Sequence, residues 1–90
     1  MKATLHKCVW LNKENKIAQY SKEEITLSKE SNLEFLQDLV HGLIEIYHHE
    51  GHDLIFNEEG LLLELPRNPL SDKVGFLLVG TIVEVHGKLK

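Results

Sequence analysis

The 90-residue chain has one cysteine, two prolines, one tryptophan and no long apolar run. A lone thiol, Cys8, cannot close an intramolecular disulfide, so packing must hold the fold, which suits a reducing compartment. No stretch approaches the roughly 18–20 apolar residues of a membrane-spanning helix. The start, Met1-Lys2-Ala3-Thr4-Leu5-His6-Lys7, lacks the apolar segment of a secretory signal. Gly-rich phosphate loops are missing, and Ser21, Ser28, Ser31 and Ser71 sit in no nucleophile-elbow pattern. Cations are missing altogether from residues 31–66, which hold eight acids: Glu34, Asp38, Glu45, Glu50, Asp53, Glu58, Glu59 and Glu64. The flanks compensate, with six Lys against four Glu in residues 1–30 and four cations against two acids in residues 67–90. The resulting net charge of −4 disfavours nucleic acid as a partner, because phosphate binding rests on clustered cations.

What is present describes one domain, residues 1–90, of ordinary globular composition (42% hydrophobic, 27% charged). Residues 3–11 alternate, Ala3, Leu5, Val9 and Leu11 against Thr4, His6, Cys8 and Trp10, which predicts a strand. Cys8 reads there as a small buried side chain. A polar turn follows at Asn12-Lys13-Glu14-Asn15, then a second short strand at Ile25-Thr26-Leu27, with Ile17 and Tyr20 docking on the core. Ser31-Asn32-Leu33-Glu34 forms a capping box, and Leu33, Leu36, Val40 and Leu43 recur at helical spacing. A helix is expected from Asn32 to His41, with Gly42 as its left-handed stop.

Strands are expected next at residues 43–48, 54–56 and 61–65. His49-Glu50-Gly51-His52 would make a tight hairpin connection and Asn57-Glu58-Glu59-Gly60 the following turn. Pro66 and Pro69 then impose a loop over residues 66–74 with room for one helical turn. The segment Phe76 to Val85 reads as a central strand, with Gly80 marking a bulge or a close approach of the helix. The expected class is α+β: a single helix packed on a four- to six-stranded, mainly antiparallel sheet. Its second face lacks large apolar residues and is solvated or covered by another molecule.

Several short motifs resemble one family, the domain of unknown function 3846, small proteins found largely in phages and mobile elements. They are Leu36-Gln37-Asp38-Leu39-Val40-His41-Gly42 running into Ile44-Glu45, then Asn57-Glu58-Glu59-Gly60, Leu65-Pro66-Arg67-Asn68 and Val79-Gly80-Thr81-Ile82-Val83. Residues 31–86 form the family-like core, and residues 1–30 form a variable region. His41 stands where the family pattern has the first of two glycines. The resemblance implies a phage-type accessory protein in a bacterial cytoplasm and carries no chemistry with it.

Candidate sites are few. His48, His49 and His52 fall within five positions and could gather a metal across the hairpin with Glu50 or Asp53, or make a pH-sensitive contact. The spacing matches no established metal signature, and a solvated hairpin loop explains it. Glu58 and Glu59 are adjacent, so they point to different sides, which suits a turn better than acid–base work. No catalytic residue and no cofactor is therefore assigned. Candidates for partner contact are Trp10, Glu50, Glu58, Glu59, Arg67 and Asn68. Trp is a common interface anchor, and a lone Arg between prolines can hold a carboxylate or phosphate.

Three functions are expected, in descending order. The first is a non-catalytic binding protein that engages and modulates a host protein, of which a DNA-mimicking inhibitor is a sharper form. The second is an oligomer that binds or sequesters a small, nucleotide-like ligand. The third is a metal-dependent hydrolase. A homodimer is also expected, because strand edges and a thinly covered sheet invite pairing.

Overall fold

The computed structural model describes residues 2–27 and 33–86. Five strands and two short helices follow the order β1 (Lys2–Asn12), β2 (Ile17–Thr26), α1 (Leu33–Val40), β3 (Ile44–His49), β4 (His52–Asn57), α2 (Leu70–Val74) and β5 (Ile82–Val85). The strands make one sheet in the order β2-β1-β5-β4-β3, every neighbouring pair antiparallel. The α+β class is thus as expected, with α2 occupying the anticipated helical turn.

Alternation along each strand divides the side chains between two faces. Ala3, Ile55, Val83 and Val85 face α1 and meet Leu27, Leu36 and Val40 in the main core. Burying a large aliphatic side chain stabilises by roughly 1.5–3 kcal/mol. The Leu36/Val40 stripe therefore holds a helix of only eight residues, too short to persist alone. The proposed cap residues Ser31 and Asn32 lie outside the described residues.

The opposite face differs from expectation. Leu54 and Ile82 meet Leu70 and Leu78 in a second buried cluster, with Phe56 and Val74 against it. The protein's own loop and α2 roof this part of the sheet, because Leu70 and Leu78, assigned to a loop and a strand, turn inward together. Asn68 organises the roof. It is fully buried, its amide donates to the carbonyls of His6 (3.1 Å) and Gly80 (2.8 Å), and its Oδ1 accepts from Leu70 N–H (2.9 Å).

Three further elements depart from the sequence reading. Residues 61–65 are not a strand. β3 and β5 already flank β4, so the leucines coil into turns, with Leu63 N–H to Glu59 O (2.9 Å) and Leu65 N–H to Gly60 O (3.0 Å). β2 is far longer than three residues, and Ile17 and Tyr20 lie on it, exposed, instead of docking on the core. The last strand is confined to Ile82–Val85, preceded by a single bridge between Arg67 and Val79. Gly80 has φ +75, and a Cβ there would lie 2.7 Å from Leu65 Cδ1, so the close approach belongs to Leu65 and not to the helix.

The end of α1 also differs. His41, not Gly42, takes the left-handed conformation (φ 63), while Gly42 N–H reaches back to Gln37 O at 3.0 Å, closing a Schellman turn. Gly42 is needed for room: a Cβ would lie 2.7 Å from Asn57 Nδ2. That amide donates to Val40 O (3.1 Å) and His41 O (3.2 Å), so Asn57 ties down the helix terminus.

Candidate functional site

Two regions concentrate chemistry. The first is a row of polar side chains crossing four strands on the face opposite α1. Tyr20 Oη (β2) lies 2.9 Å from His6 Nδ1 (β1), and His6 Nε2 lies 2.8 Å from Glu84 Oε1 (β5). Glu84 Oε2 lies 2.6 Å from His52 Nδ1 (β4). His52 stacks on His86, whose Nε2 is 2.9 Å from Thr4 Oγ1, and Thr4 donates on to Glu24 at 3.2 Å.

Glu84 is only 8% exposed, in a strand whose other three residues are apolar. Burial alone would push its carboxyl pKa up. The hydrogen bonds and charge of His6 and His52 outweigh that and hold it below the usual value, so Glu84 is an anion. An anionic Glu84 takes an N–H from both rings. The Tyr20 hydroxyl, with its proton, sits against the second ring nitrogen of His6, Nδ1. Burial first, then the nearby Cys8 and Glu84, raises the Tyr20 pKa and keeps that proton in place. Beside His52 opens a cavity of about 80 Å3 walled by Leu54, Leu70 and Val74 and rimmed by Lys73 and Glu50.

The second region lies where β1 runs past the start of β5. There β1 pairs with β2 alone, and on its other side an apolar depression of about 350 Å3 is lined by Trp10, Val9, Leu63, Leu65, Pro66 and His41. Trp10 is fixed in it, its indole N–H donating to Glu64 O at 2.9 Å. His41 also borders a second depression, about 400 Å3, lined by Asp38, Glu59, Gln37 and Leu43. Beside them the 61–65 turns expose consecutive leucines, Leu61 at 68%, Leu62 at 81% and Leu63 at 49%. Such a run of exposed apolar side chains is the kind of surface that contact regions use.

The candidate residues are dispersed among these places. Trp10 and Glu59 fall in the second region, with Glu58 exposed next to Glu59. Asn68 is spent on the roof, and Arg67 pairs with Asp72 beside a different depression. Glu50 lies 3.6 Å from His49. Strand alternation separates the histidines: His48 bonds Asp53 on the α1 face, while His49 and His52 pair across the other. Among the described residues no group of three His, Cys, Asp or Glu side chains is placed to hold a metal ion.

Sequence reading missed the polar row entirely. Its one available signal was Glu84, a charge between Val83 and Val85 in an otherwise apolar strand. Cys8 is buried as expected; desolvation raises its thiol pKa. Among the described residues no helix is long and apolar enough to cross a membrane.

Compared with known proteins, residues 11–88 match a family model described as Domain of unknown function (DUF3846). No curated protein and no solved structure matches the chain.

Proposed function

The chain belongs to the domain of unknown function 3846 family, and from that premise we propose that it is a non-catalytic binding protein. In this reading it is a phage or mobile-element accessory factor that engages and modulates a protein of its bacterial host, in the cytoplasm. One observation carries the reading: an apolar depression anchored by Trp10 adjoins, through His41, an acidic depression bearing Asp38 and Glu59. A rigid aromatic in a pocket beside acids that pair with no cation among the described residues fits a segment that sets a large apolar side chain next to lysine or arginine. Leu61, Leu62 and Leu63 extend the apolar contact.

The protein supplies its own probe, since Trp10 is its only tryptophan. Titrating a peptide of alternating lysine and leucine should shift and saturate Trp10 emission. A peptide with glutamate in place of lysine should not. Asp38→Lys with Glu59→Lys should abolish the response without altering the circular dichroism spectrum. Equal responses to both peptides, or none to the basic one, would refute the reading.

A second reading, small-ligand binding by an oligomer, draws support from the cavity at His52 with its oriented imidazole. Mass spectrometry of the purified protein for a bound metabolite, lost in His52→Ala, tests it. The metal-dependent hydrolase is not carried forward, because His48 lies on the opposite sheet face from His49 and His52.

A further inference from the structure

Among the described residues the sheet ends in β2 on one side and β3 on the other, and these two edges are unlike. The β2 edge carries Lys22, Glu23 and Glu24 in sequence, the charges that commonly deter edge-to-edge pairing. β3 has no Pro, Lys or Arg and exposes Ile46 and Tyr47. On its roofed face, Tyr47 meets Phe76 edge-on with ring centroids 4.8 Å apart, and Leu77 beside it is also exposed. The apolar surface therefore continues past the strand.

The hairpin determines what the edge offers. Glu50 (φ 47) and Gly51 (φ 81) make a two-residue turn of the primed type, flanked by the pair His49 and His52. In such a hairpin the flanking pair exchanges both backbone hydrogen bonds, and the pattern alternates away from it. Glu45, Tyr47 and His49 thus bond inward to β4, and the backbone groups of Ile44, Ile46 and His48 point outward.

We infer that β3 pairs antiparallel with β3 of a second copy, about a two-fold axis at Tyr47, to give a continuous ten-stranded sheet. In that register Ile46 exchanges backbone hydrogen bonds with His48 of the second copy, and the reverse. Tyr47 faces its own counterpart across the axis. Glu45 falls opposite His49 of the second copy on the same face, so symmetry forms the carboxylate–imidazole contact twice. Pairing about Ile46 instead would set Glu45 against Tyr47 and form neither. That complementarity is between the strand and itself, which is why the occupant is a copy of this chain and not an unrelated strand. The inference does not rest on the partner surface, because no β3 residue lines the depressions at Trp10 and Asp38.

Light scattering of the full chain should give a concentration-dependent mass approaching twice 10.3 kDa. Ile46→Lys, at a position already 41% exposed, should leave a folded monomer by circular dichroism and keep the Trp10 response to basic peptide. Tyr47→Cys should form an intermolecular disulfide under mild oxidation, since directly opposed, non-hydrogen-bonded residues have Cβ atoms about 4.5–5.5 Å apart, near bridging distance. The wild-type protein, with Cys8 buried, should not. A wild-type protein that stays monomeric, a dimer untouched by Ile46→Lys, or cross-linking through Ile46→Cys in preference to Tyr47→Cys would each overturn the proposal. The last outcome would point to the Ile46 register, and a dimer untouched by Ile46→Lys to another edge.

Discussion

Replacing His41 with glycine should stabilise the protein, although the residue is exposed and its side chain makes no hydrogen bond among the described residues. The reason is its backbone. His41 is held at φ 63 by the Schellman turn and by Asn57, which bonds the carbonyls on either side of the Val40–His41 junction. A side chain with a Cβ pays about 1–2 kcal/mol in that region, and glycine pays nothing there. Against this, glycine adds about 0.4–1 kcal/mol of unfolded-state freedom. The net expectation is a gain of about 0.5–1 kcal/mol, raising the melting temperature by roughly 2–8 °C for a domain of this size. Urea and thermal unfolding of His41→Gly, His41→Ala and Gly42→Ala would measure it. Alanine at 41 keeps the strain and should gain nothing. Alanine at 42 should destabilise, since its Cβ would displace Asn57 from the helix terminus. If glycine at 41 proves neutral or harmful while alanine is equivalent to it, the left-handed account of the helix end is wrong.

Other consequences follow from the buried groups. Glu84→Gln should cost about 1.5–3 kcal/mol at neutral pH, because Glu84 makes charged hydrogen bonds to two imidazoles, each worth about that much, and one survives in the amide. The Glu84 carboxyl has a lowered folded-state pKa, so its contribution is complete above the unfolded value of about 4.3 and is lost as pH falls through the folded one. The stability gap between wild type and variant in urea should therefore close in acid below pH ~4; a gap that holds constant would contradict this. Cys8, with its thiol pKa raised by burial, should react with a disulfide reagent far more slowly in the native protein than in urea. Leu62→Ser, at the most exposed leucine, should leave the urea midpoint unchanged while weakening the basic-peptide response, and a loss of stability would place Leu62 in the fold instead.

Legibility in the sequence followed burial pattern. β1 showed because one parity packs on α1 and the other on the roof, and α1 showed because Leu36 and Val40 recur on one side. β2 was largely hidden, since most of it is exposed on both faces and so carries no alternation. Residues 61–65 have strand composition, but strand formation also needs an unoccupied neighbour, a tertiary fact that composition does not contain. The polar row was invisible for a similar reason. Histidines adjacent in sequence, His48 and His49, go to opposite faces, whereas His6 on β1, His52 on β4 and His86 just past β5 meet around Glu84 and Thr4. The family-like motifs turned out to hold the fold: Asn57 ties down α1, and Asn68 ties the roof to β1 and Gly80.

Backbone amide chemical shifts of labelled protein during titration with the lysine–leucine peptide test the central claim most directly. Residues around the indole pocket and the adjoining carboxylates, Trp10, Asp38, His41, Glu59 and Leu63, should move together and saturate. Shifts scattered over the surface, or gathered at His52 and Lys73 instead, would contradict it.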